Sequence, residues 1–327
     1  MGSESGDTQG KQMTRVAVTS GLFAAMPEMA ARIRAAYPDA KIVEGRPPMA
    51  EDEIIEFVKG HDVVVAGIEP YTARVLENLP DLKVIACCSA GVDHLDPELL
   101  SARGIRMGWI PGVNKFAVSE MAVCFMIDIL REIHTSNAAM RAGRWQRARG
   151  LLLRGRTVGV HGCGNIGKEV VKLLQPFGVN VLASDRVDYP DFYEEYGVTA
   201  VSPEQLWAES EVLTVHLPRN SSTIGMYSPD VLDQLRRGAY VVNTARGNIF
   251  DEAALYERLS DGRITAAAFD VFAIEPAVDN PLMQLPNFLS TAHIGAGAEE
   301  AWVAMAEAGI KGITENAVPQ LGVYPFD

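Results

Sequence analysis

The stretch Thr157–Gly167, TVGVHGCGNIG, decides the fold of this chain. Its last six residues have the spacing G-x-G-x-x-G, and they lie between a β-branched run and an amphipathic helical run. Glycines in such a turn permit a sharp bend and let backbone N–H groups approach a pyrophosphate at the start of the helix. The stretch therefore predicts a strand, a turn and a helix that bind a dinucleotide, with phosphate contacts from Gly162, Gly164, Asn165, Ile166 and Gly167.

Asp185 ends the next predicted strand, about 20 residues after the turn, where this motif places an acidic residue. A carboxylate there accepts hydrogen bonds from the adenosine ribose hydroxyls and repels a 2′-phosphate, so NAD is the expected cofactor. The adjacent Arg186 leaves the strictness of this preference open, because a guanidinium can hold a 2′-phosphate. His216 ends a later strand before Leu217-Pro218 and is expected to line the same crevice.

Short apolar runs alternate with helical runs on both sides of the glycine turn, which is typical of βαβ units in a mainly parallel sheet. We predict an α/β fold of two Rossmann-like, doubly wound domains, a flavodoxin-like domain followed by a dinucleotide-binding domain. The first series of predicted strands covers residues 15–20, 41–44, 62–67, 82–88 and 106–110. The second series covers residues 157–161, 180–185, 212–216, 240–245, 265–270 and 288–293.

The segment between the two series, residues 114–142, contains no glycine or proline and predicts one helix of nearly thirty residues. Such a helix is about 40 Å long, enough to cross between two domains. It carries apolar residues on more than one face, which predicts a two-fold homodimer through this part of the chain. The basic run at residues 141–156 is expected to be a solvated linker or an inter-subunit surface. A last helix is predicted over residues 298–316.

Composition limits the classes of function. The chain has 327 residues, 48% of them hydrophobic, and a formal net charge of −13. The length predicts about two domains. The negative charge argues against nucleic acid or an anionic membrane as a partner. The N-terminus, MGSESGDTQGKQ, lacks the apolar core of a signal peptide and is expected to be a disordered tail, and no apolar stretch is long enough to cross a bilayer.

Four cysteines, Cys87, Cys88, Cys124 and Cys163, lack the spacing of metal ligands. Their neighbours are mostly apolar or glycine, so we expect buried, reduced thiols in a cytoplasmic protein. No metal site is predicted.

Three later strings, NTARG, DVFAIEP and TAHIG, each end a strand-like run and present Arg246, Glu275 and His293 respectively. Ligands bind at the carboxyl ends of strands in such sheets. A guanidinium offers a bidentate fork to a carboxylate. An imidazole exchanges protons near neutral pH, and a paired carboxylate fixes its tautomer. A cation, a carboxylate and an imidazole after a dinucleotide-binding turn indicate hydride-transfer chemistry.

In the first domain, Ser89, Ala90 and Gly91 follow the strand-like run LKVIAC. Small residues after a strand can expose successive N–H groups that form an anion-binding nest. The same residues are equally compatible with an ordinary turn.

Together these strings resemble the D-isomer-specific 2-hydroxyacid dehydrogenases, the family of D-3-phosphoglycerate, D-lactate, glycerate and formate dehydrogenases. The resemblance covers residues 15–316 and is carried by GIEPYTARVLENLPDLKVIACCSAGVDHLD, NKFAVSEMAV, LLRGRTVGVHGCGNIGKEV, VHLPRNSSTIGMY, VVNTARGNIFDEAAL, AAFDVFAIEP and STAHIG. It implies a substrate domain of residues 13–111 completed by residues 298–327, an NAD-binding Rossmann domain of residues 112–297, and an active site in the cleft between them.

The resemblance also implies roles for single residues. Arg246 would orient the substrate carboxylate and polarise its carbonyl, His293 would be the acid/base, and Glu275 would be its partner. The N–H groups of Ser89, Ala90 and Gly91 would hold the substrate carboxylate. Asp270 would bind the nicotinamide carboxamide. Further cofactor contacts are expected from Leu217, Pro218, Thr223, Thr244, Ala245 and Gly295.

The expected activity is NAD-dependent interconversion of a D-2-hydroxy acid and its 2-keto acid. Departures from the commonest family pattern leave the substrate open. Cys87-Cys88 replaces an Arg-Tyr pair that is frequent in phosphoglycerate-type members, although Arg46 could supply a cation, and Met121 and Ala292 also depart from it. The alternatives are a D-3-phosphoglycerate dehydrogenase, an enzyme for another oxyanion such as a phosphonate, and a non-enzymatic NAD-sensing scaffold. The intact catalytic trio argues against the scaffold.

Overall fold

The computed structural model describes residues 14–45, 49–147 and 149–326. The N-terminal tail predicted to be disordered, residues 1–12, lies outside these residues, and so does Arg46. The chain divides into two compact units. The first unit contains Met1–Val113 and Val303–Asp327, and the second contains Asn114–Trp302.

The first unit contains a parallel sheet of short, buried strands rich in valine and alanine. Burial on both faces is typical of a parallel sheet that is covered by helices. The strands are β1 (Val16–Val18), β2 (Lys41–Ile42), β3 (Val63–Ala66), β4 (Val84–Cys87) and β5 (Arg106–Gly108). Their order is β2-β1-β3-β4-β5, which is the flavodoxin-like order that the sequence predicted.

Helices connect these strands, and polar residues mark where two of them begin. Asp96 precedes a helix-starting proline, and its carboxylate accepts hydrogen bonds from the N–H groups of Glu98 and Leu99 at 2.9 and 3.0 Å. Such a cap satisfies N–H groups that have no partner within the helix. The helices are α1 (Gly21–Ala25), α2 (Pro27–Ala36), α3 (Glu51–Val58), α4 (Ala73–Glu77) and α5 (Pro97–Ala102).

The second unit contains a larger parallel sheet. Its strands are β6 (Thr157–His161), β7 (Asn180–Ser184), β8 (Val198–Ala200), β9 (Val212–Val215), β10 (Ala239–Asn243), β11 (Ile264–Phe269) and β12 (Phe288–Ser290). The order is β12-β11-β10-β9-β6-β7-β8. Counted from β6, six of the strands have the 3-2-1-4-5-6 order of dinucleotide-binding folds, and β12 extends the sheet. The predicted α/β fold of two doubly wound units is confirmed.

All eleven predicted strands are present, but the prediction of six strands for the second unit was wrong because it missed β8. This edge strand has three residues, and Thr199 and Ala200 are exposed. It therefore lacks the apolar run by which the other strands were recognised. The helices of this unit are α6 (Lys115–Arg131), α7 (Ile133–Arg141), α8 (Asn165–Leu174), α9 (Pro190–Tyr196), α10 (Pro203–Glu209), α11 (Pro229–Gln234) and α12 (Glu252–Ser260).

The single long helix predicted over residues 114–142 was also wrong. The chain breaks between α6 and α7 at Glu132, which has a left-handed φ of 53°. The Asp128 carboxylate accepts the backbone N–H of His134 at 3.2 Å and contacts its ring Nδ1 at 2.5 Å. A side chain that bonds to nearby backbone competes with helix continuation, so the break forms without a glycine or proline.

The last helix, α13 (Glu299–Gly312), packs through glycines where it runs in the first unit. A Cβ atom at Gly309 would lie 2.3 Å from Cys88 Sγ, and one at Gly108 would lie 2.3 Å from the carbonyl oxygen of Gly312. These distances are too short for a side chain, so glycine is required for the helix to approach β4 and β5 this closely. None of the described helices has the length and apolarity that a membrane span needs.

Candidate active site

The glycine turn joins β6 to α8, which begins at Asn165. A Cβ atom at Gly167 would lie 2.1 Å from the carbonyl oxygen of Gly162, and Gly162 itself has a φ of 92°. Both positions therefore require glycine. At Gly164, by contrast, no described residue other than its two chain neighbours has an atom within 4 Å of the Cβ position. The backbone is open there, so an anionic group can approach the N–H groups at the start of α8. Ile166, the second residue of α8, packs against the core.

Asp185 follows β7 and holds the glycine turn. One carboxylate oxygen accepts the N–H of Cys163 at 2.6 Å, and the other accepts the N–H of Val187 at 2.9 Å. Sequence reasoning assigned Asp185 only to ribose binding and missed this structural contact. Each carboxylate oxygen has more than one acceptor site, so both can still accept a ribose hydroxyl.

His216 and Thr244 follow the neighbouring strands β9 and β10. The Nε2 of His216 lies 2.9 Å from Thr214 Oγ1, but its buried Nδ1 has no hydrogen-bond partner among the described residues. Burial lowers the pKa of His216 to about 3, so the ring is neutral at physiological pH. The buried Thr244 Oγ1 also lacks a partner within the described part of the chain. Buried polar atoms without partners are rare, and both fit a site that a ligand completes.

The hydroxyl of Thr223 makes its hydrogen bonds within its own loop. It donates to the carbonyl of Pro218 at 2.7 Å and accepts the N–H of Asn220 at 2.9 Å. These bonds fix the turn that follows Leu217, which packs against the core cluster. The structure therefore places Thr223 as a support of the loop after β9.

A buried asparagine holds the Arg246 loop by hydrogen bonds. Asn243 ends β10, where its side chain accepts the N–H of Ala245 and donates to the carbonyl of Arg246, both at 3.0 Å. A Cβ atom at Gly247 would lie 1.8 Å from the carbonyl carbon of Phe272. Only glycine lets the Arg246 loop lie directly on the loop that carries Glu275.

His293 and Glu275 are in direct contact. His293 Nδ1 lies 2.8 Å from Glu275 Oε2, and Glu275 Oε1 accepts the N–H of Phe272 at 2.9 Å. About half of the His293 side chain is exposed. No described residue bonds to its Nε2, so that nitrogen can reach a ligand. A carboxylate that accepts Nδ1–H fixes the tautomer in which Nε2 faces the reacting group.

Asp270 holds the His293 loop, a role that sequence reasoning missed. One carboxylate oxygen accepts the hydroxyl of Thr291 at 2.5 Å and the N–H of Ile294 at 2.7 Å, and the other accepts the N–H of Gly295 at 2.7 Å. The backbone N–H of His293 donates to the Asp270 carbonyl at 2.9 Å. These bonds keep His293 at a φ of 52°, a conformation that is uncommon outside glycine.

The predicted anion nest belongs to the first unit, whereas Arg246, Glu275 and His293 belong to the second. Ser89 is buried, and its hydroxyl has no partner among the described residues. The carbonyl of Ala90 accepts the indole N–H of Trp109 at 3.1 Å.

The four cysteines are free, but the expectation that all are buried was wrong, because Cys124 on α6 is exposed. It lies on a side of α6 that the core does not cover. Burial raises the pKa of Cys87 to about 12 and that of Cys163 to about 11, so these thiols are unreactive. The described residues contain no cluster of three or more side chains suited to a metal ion.

Comparison with known proteins agrees with this geometry. Residues 123–295 match the model of the D-isomer specific 2-hydroxyacid dehydrogenase family, NAD binding domain. The D-3-phosphoglycerate dehydrogenase of Archaeoglobus fulgidus is 38% identical over 263 residues, which are 79% of this chain and 50% of that protein. The human D-3-phosphoglycerate dehydrogenase is 33% identical over 263 residues, which are 80% of this chain and 49% of that protein. The chain thus spans about half the length of these curated relatives.

Solved structures extend the likeness to both units. The TT0316 protein of Thermus thermophilus is 32% identical with a TM-score of 0.81, and the match covers 91% of this chain and 94% of that one. The NAD-dependent formate dehydrogenase of Staphylococcus aureus, in complex with NAD, is 25% identical with a TM-score of 0.79, covering 92% and 94%. The predicted resemblance is confirmed: the chain belongs to the D-isomer specific 2-hydroxyacid dehydrogenase family and carries its NAD-binding domain.

Proposed function

We propose that the protein is an NAD-dependent oxidoreductase that interconverts a D-2-hydroxy acid and its 2-keto acid. The observation that carries this proposal is the 2.8 Å contact between His293 Nδ1 and Glu275 Oε2, in a unit that also holds a dinucleotide-binding turn. Residues 112–297 would form the NAD-binding domain. Residues 13–111, completed by residues 298–327, would form the substrate domain.

Each residue of the catalytic trio, Arg246, Glu275 and His293, has its own role in the reaction. When bound, NAD supplies or accepts the hydride at C2 of the substrate. In reduction, protonated His293 donates a proton from Nε2 to the substrate carbonyl oxygen, and in oxidation the neutral ring takes the hydroxyl proton. Glu275 accepts Nδ1–H and compensates the positive charge on the ring. Arg246 pairs with the substrate carboxylate and stabilises negative charge that develops on the carbonyl oxygen.

The cofactor site suits a nicotinamide dinucleotide. The start of α8 would hold the pyrophosphate, Asp185 the ribose hydroxyls, and Asp270 the carboxamide. The remaining expected contacts are His216, Leu217, Pro218, Thr223, Thr244, Ala245 and Gly295. Thr244 and His216 are the best supported of these, because each carries a buried polar atom that lacks a partner among the described residues.

NADH should exceed NADPH in catalytic efficiency by at least about tenfold, or roughly 1.4 kcal/mol. A cleft of about 380 Å³ is lined by Asp185 and Asp188, and among the described residues that line it only Arg186 supplies a guanidinium. Two carboxylates against one cation disfavour a 2′-phosphate. Steady-state kinetics with both cofactors tests this, with Arg186→Ala as the matched variant that should keep the preference. Equal or better use of NADPH would show that Arg186 governs the site.

The substrate panel that tests the function also separates its alternatives. Glyoxylate, pyruvate and hydroxypyruvate are compared with 3-phosphohydroxypyruvate, each with NADH. Turnover of any of them supports a dehydrogenase, and a marked preference for the phosphorylated acid would establish the alternative suggested by the relatives named D-3-phosphoglycerate dehydrogenase. NADH binding without turnover of any acid would instead indicate an NAD-sensing scaffold and refute the proposal.

We further propose a homodimer in the cytoplasm, formed through the second unit. Burial limits the apolar residues available for an interface, because much of α6 packs into its own unit. Phe116, Ile133, Met140 and Trp145 remain exposed. A contiguous exposed apolar patch often marks a protein–protein interface.

Light scattering at micromolar concentration should therefore give about twice the chain mass of 35.4 kDa. Phe116→Asp should shift the mass towards one chain, because a charge in an apolar interface is costly. The matched control is Ile68→Asp, at an apolar position of the first unit that is 72% exposed against 62% for Phe116, and it should leave the mass unchanged. A wild-type mass of a single chain would contradict the dimer.

A further inference from the structure

Trp109 makes a contact that the proposed function does not use. It follows β5, and its indole Nε1–H donates a 3.1 Å hydrogen bond to the carbonyl of Ala90. Ala90 is the middle residue of the loop Ser89–Gly91. Both residues belong to the first unit, so the contact is a property of that unit alone.

This hydrogen bond sets the direction of a neighbouring N–H group. The carbonyl of Ala90 and the N–H of Gly91 belong to the same peptide unit, which is trans. A trans peptide is planar, and its C=O and N–H point in opposite directions. The bond from Trp109 therefore turns the Gly91 N–H away from the indole.

The loop also carries a buried group that a ligand would complete. Only 7% of Ser89 is exposed, and its hydroxyl oxygen has no hydrogen-bond partner among the described residues. A buried hydroxyl is normally bonded. The Ser89 hydroxyl is thus a sign that a polar ligand completes this loop, and the Gly91 N–H is a neighbouring donor whose direction is set by the bond from Trp109.

The end of the chain holds Trp109 in turn. The ring centroids of Trp109 and Tyr324 lie 5.4 Å apart with their planes at 53°, and Phe326 packs against the same core cluster as Trp109. Upstream, the backbones of Met107 and Ala317 exchange hydrogen bonds of 2.7 and 3.1 Å. The Tyr324 ring therefore packs beside the indole, and the bond to Ala90 gives the indole N–H a defined direction.

We propose that Trp109 is a positioning residue for the substrate: it orients the Gly91 N–H towards the carboxylate of the 2-keto acid, and Tyr324 holds Trp109 in place. This inference rests on the proposed function, which assigns the Ser89–Gly91 loop to that carboxylate. It adds two residues that lie outside the loop and outside the catalytic trio.

Trp109→Phe separates the hydrogen bond from the packing, because phenylalanine keeps an aromatic ring and lacks the N–H donor. The KM of the 2-keto acid should rise about threefold to tenfold, as expected when one binding contact is weakened, while kcat changes less than about twofold. The KM of NADH should stay constant. Tyr256→Phe is the control, since Tyr256 is an exposed aromatic residue on α12 of the second unit. An unchanged KM in Trp109→Phe overturns the proposal.

A second comparison tests whether the effect acts on the carboxylate. Pyruvate and methylglyoxal share a carbon skeleton, but methylglyoxal has an aldehyde where pyruvate has the carboxylate. Trp109→Phe should lower kcat/KM for pyruvate about threefold to tenfold and leave that for methylglyoxal within about twofold. Equal losses on both substrates would mean a general structural defect and would refute the positioning role.

Amide hydrogen exchange keeps the inference testable without turnover. Exchange of residues 88–92 should be faster in Trp109→Phe than in wild type and in Tyr256→Phe. Tyr324→Ala should change exchange and KM in the same direction by a smaller factor, and no change would remove Tyr324 from the proposal. A wild-type protein that reduces no 2-keto acid would refute the proposed function. Unchanged amide exchange of residues 88–92 in Trp109→Phe would instead refute the role of Trp109.

Discussion

Replacing His293 with alanine is expected to lower kcat for 2-keto acid reduction by about two to four orders of magnitude at every pH, the usual contribution of a positioned general acid. The imidazole is half exposed, bonded through Nδ1 to Glu275, and held by a loop that Asp270 fixes. Steady-state kinetics across a range of pH measures the loss. His61→Ala, a surface histidine of the first unit, should be indistinguishable from wild type, and a His293 variant of near-normal rate would remove the proton-transfer role.

Glu275→Gln should lower kcat for 2-keto acid reduction by a smaller factor than His293→Ala and preserve part of the activity. The amide can still accept Nδ1–H, but it does not stabilise a positive charge on the ring as a carboxylate does. Steady-state kinetics beside wild type measures the loss. A kcat that matches wild type would mean that Glu275 and His293 are not coupled, despite their 2.8 Å contact.

Arg246→Ala is the second variant with a large expected effect. It should raise the KM of the 2-keto acid and lower kcat, with a combined loss in kcat/KM of at least about a hundredfold. Both parameters change because the guanidinium would pair with the carboxylate in the ground state and with the developing charge in the transition state.

Two variants sharpen this experiment. Arg246→Lys keeps the charge without the planar fork and should recover only part of the activity. Arg236→Ala, at a surface arginine near Glu211, is the control for removal of a cation from the same unit. A change in KM alone for Arg246→Ala would restrict Arg246 to substrate binding.

The sequence was sufficient to predict the features that depend on local chemistry. Only glycine suits the crowded positions Gly162 and Gly167, so the turn could be predicted from the sequence alone. The two sheets followed from buried β-branched runs. His293 and Glu275 each follow a strand, and parallel strands bring their carboxyl ends to one edge, so their contact was expected.

The features that were missed depend on partners that are distant in the sequence or on weak local patterns. Asp270 binds the backbone of residues more than twenty positions away, which no spacing rule identifies. The break at Glu132 arises from a single pair, Asp128 and His134, in a run that is otherwise favourable to a helix. The strand β8 has too few buried residues to produce a pattern. Each of these three features depends on tertiary structure, which local propensity does not determine.

The exposed thiol on α6 gives this chain a natural attachment point for a spectroscopic probe. Three of the four cysteines are buried, so a maleimide dye should modify Cys124 and leave the glycine turn and the strand-end cysteines intact. No cysteine has to be engineered in or out. Because Cys124 lies on the same helix as Phe116, its rate of labelling would report whether a second chain covers this helix.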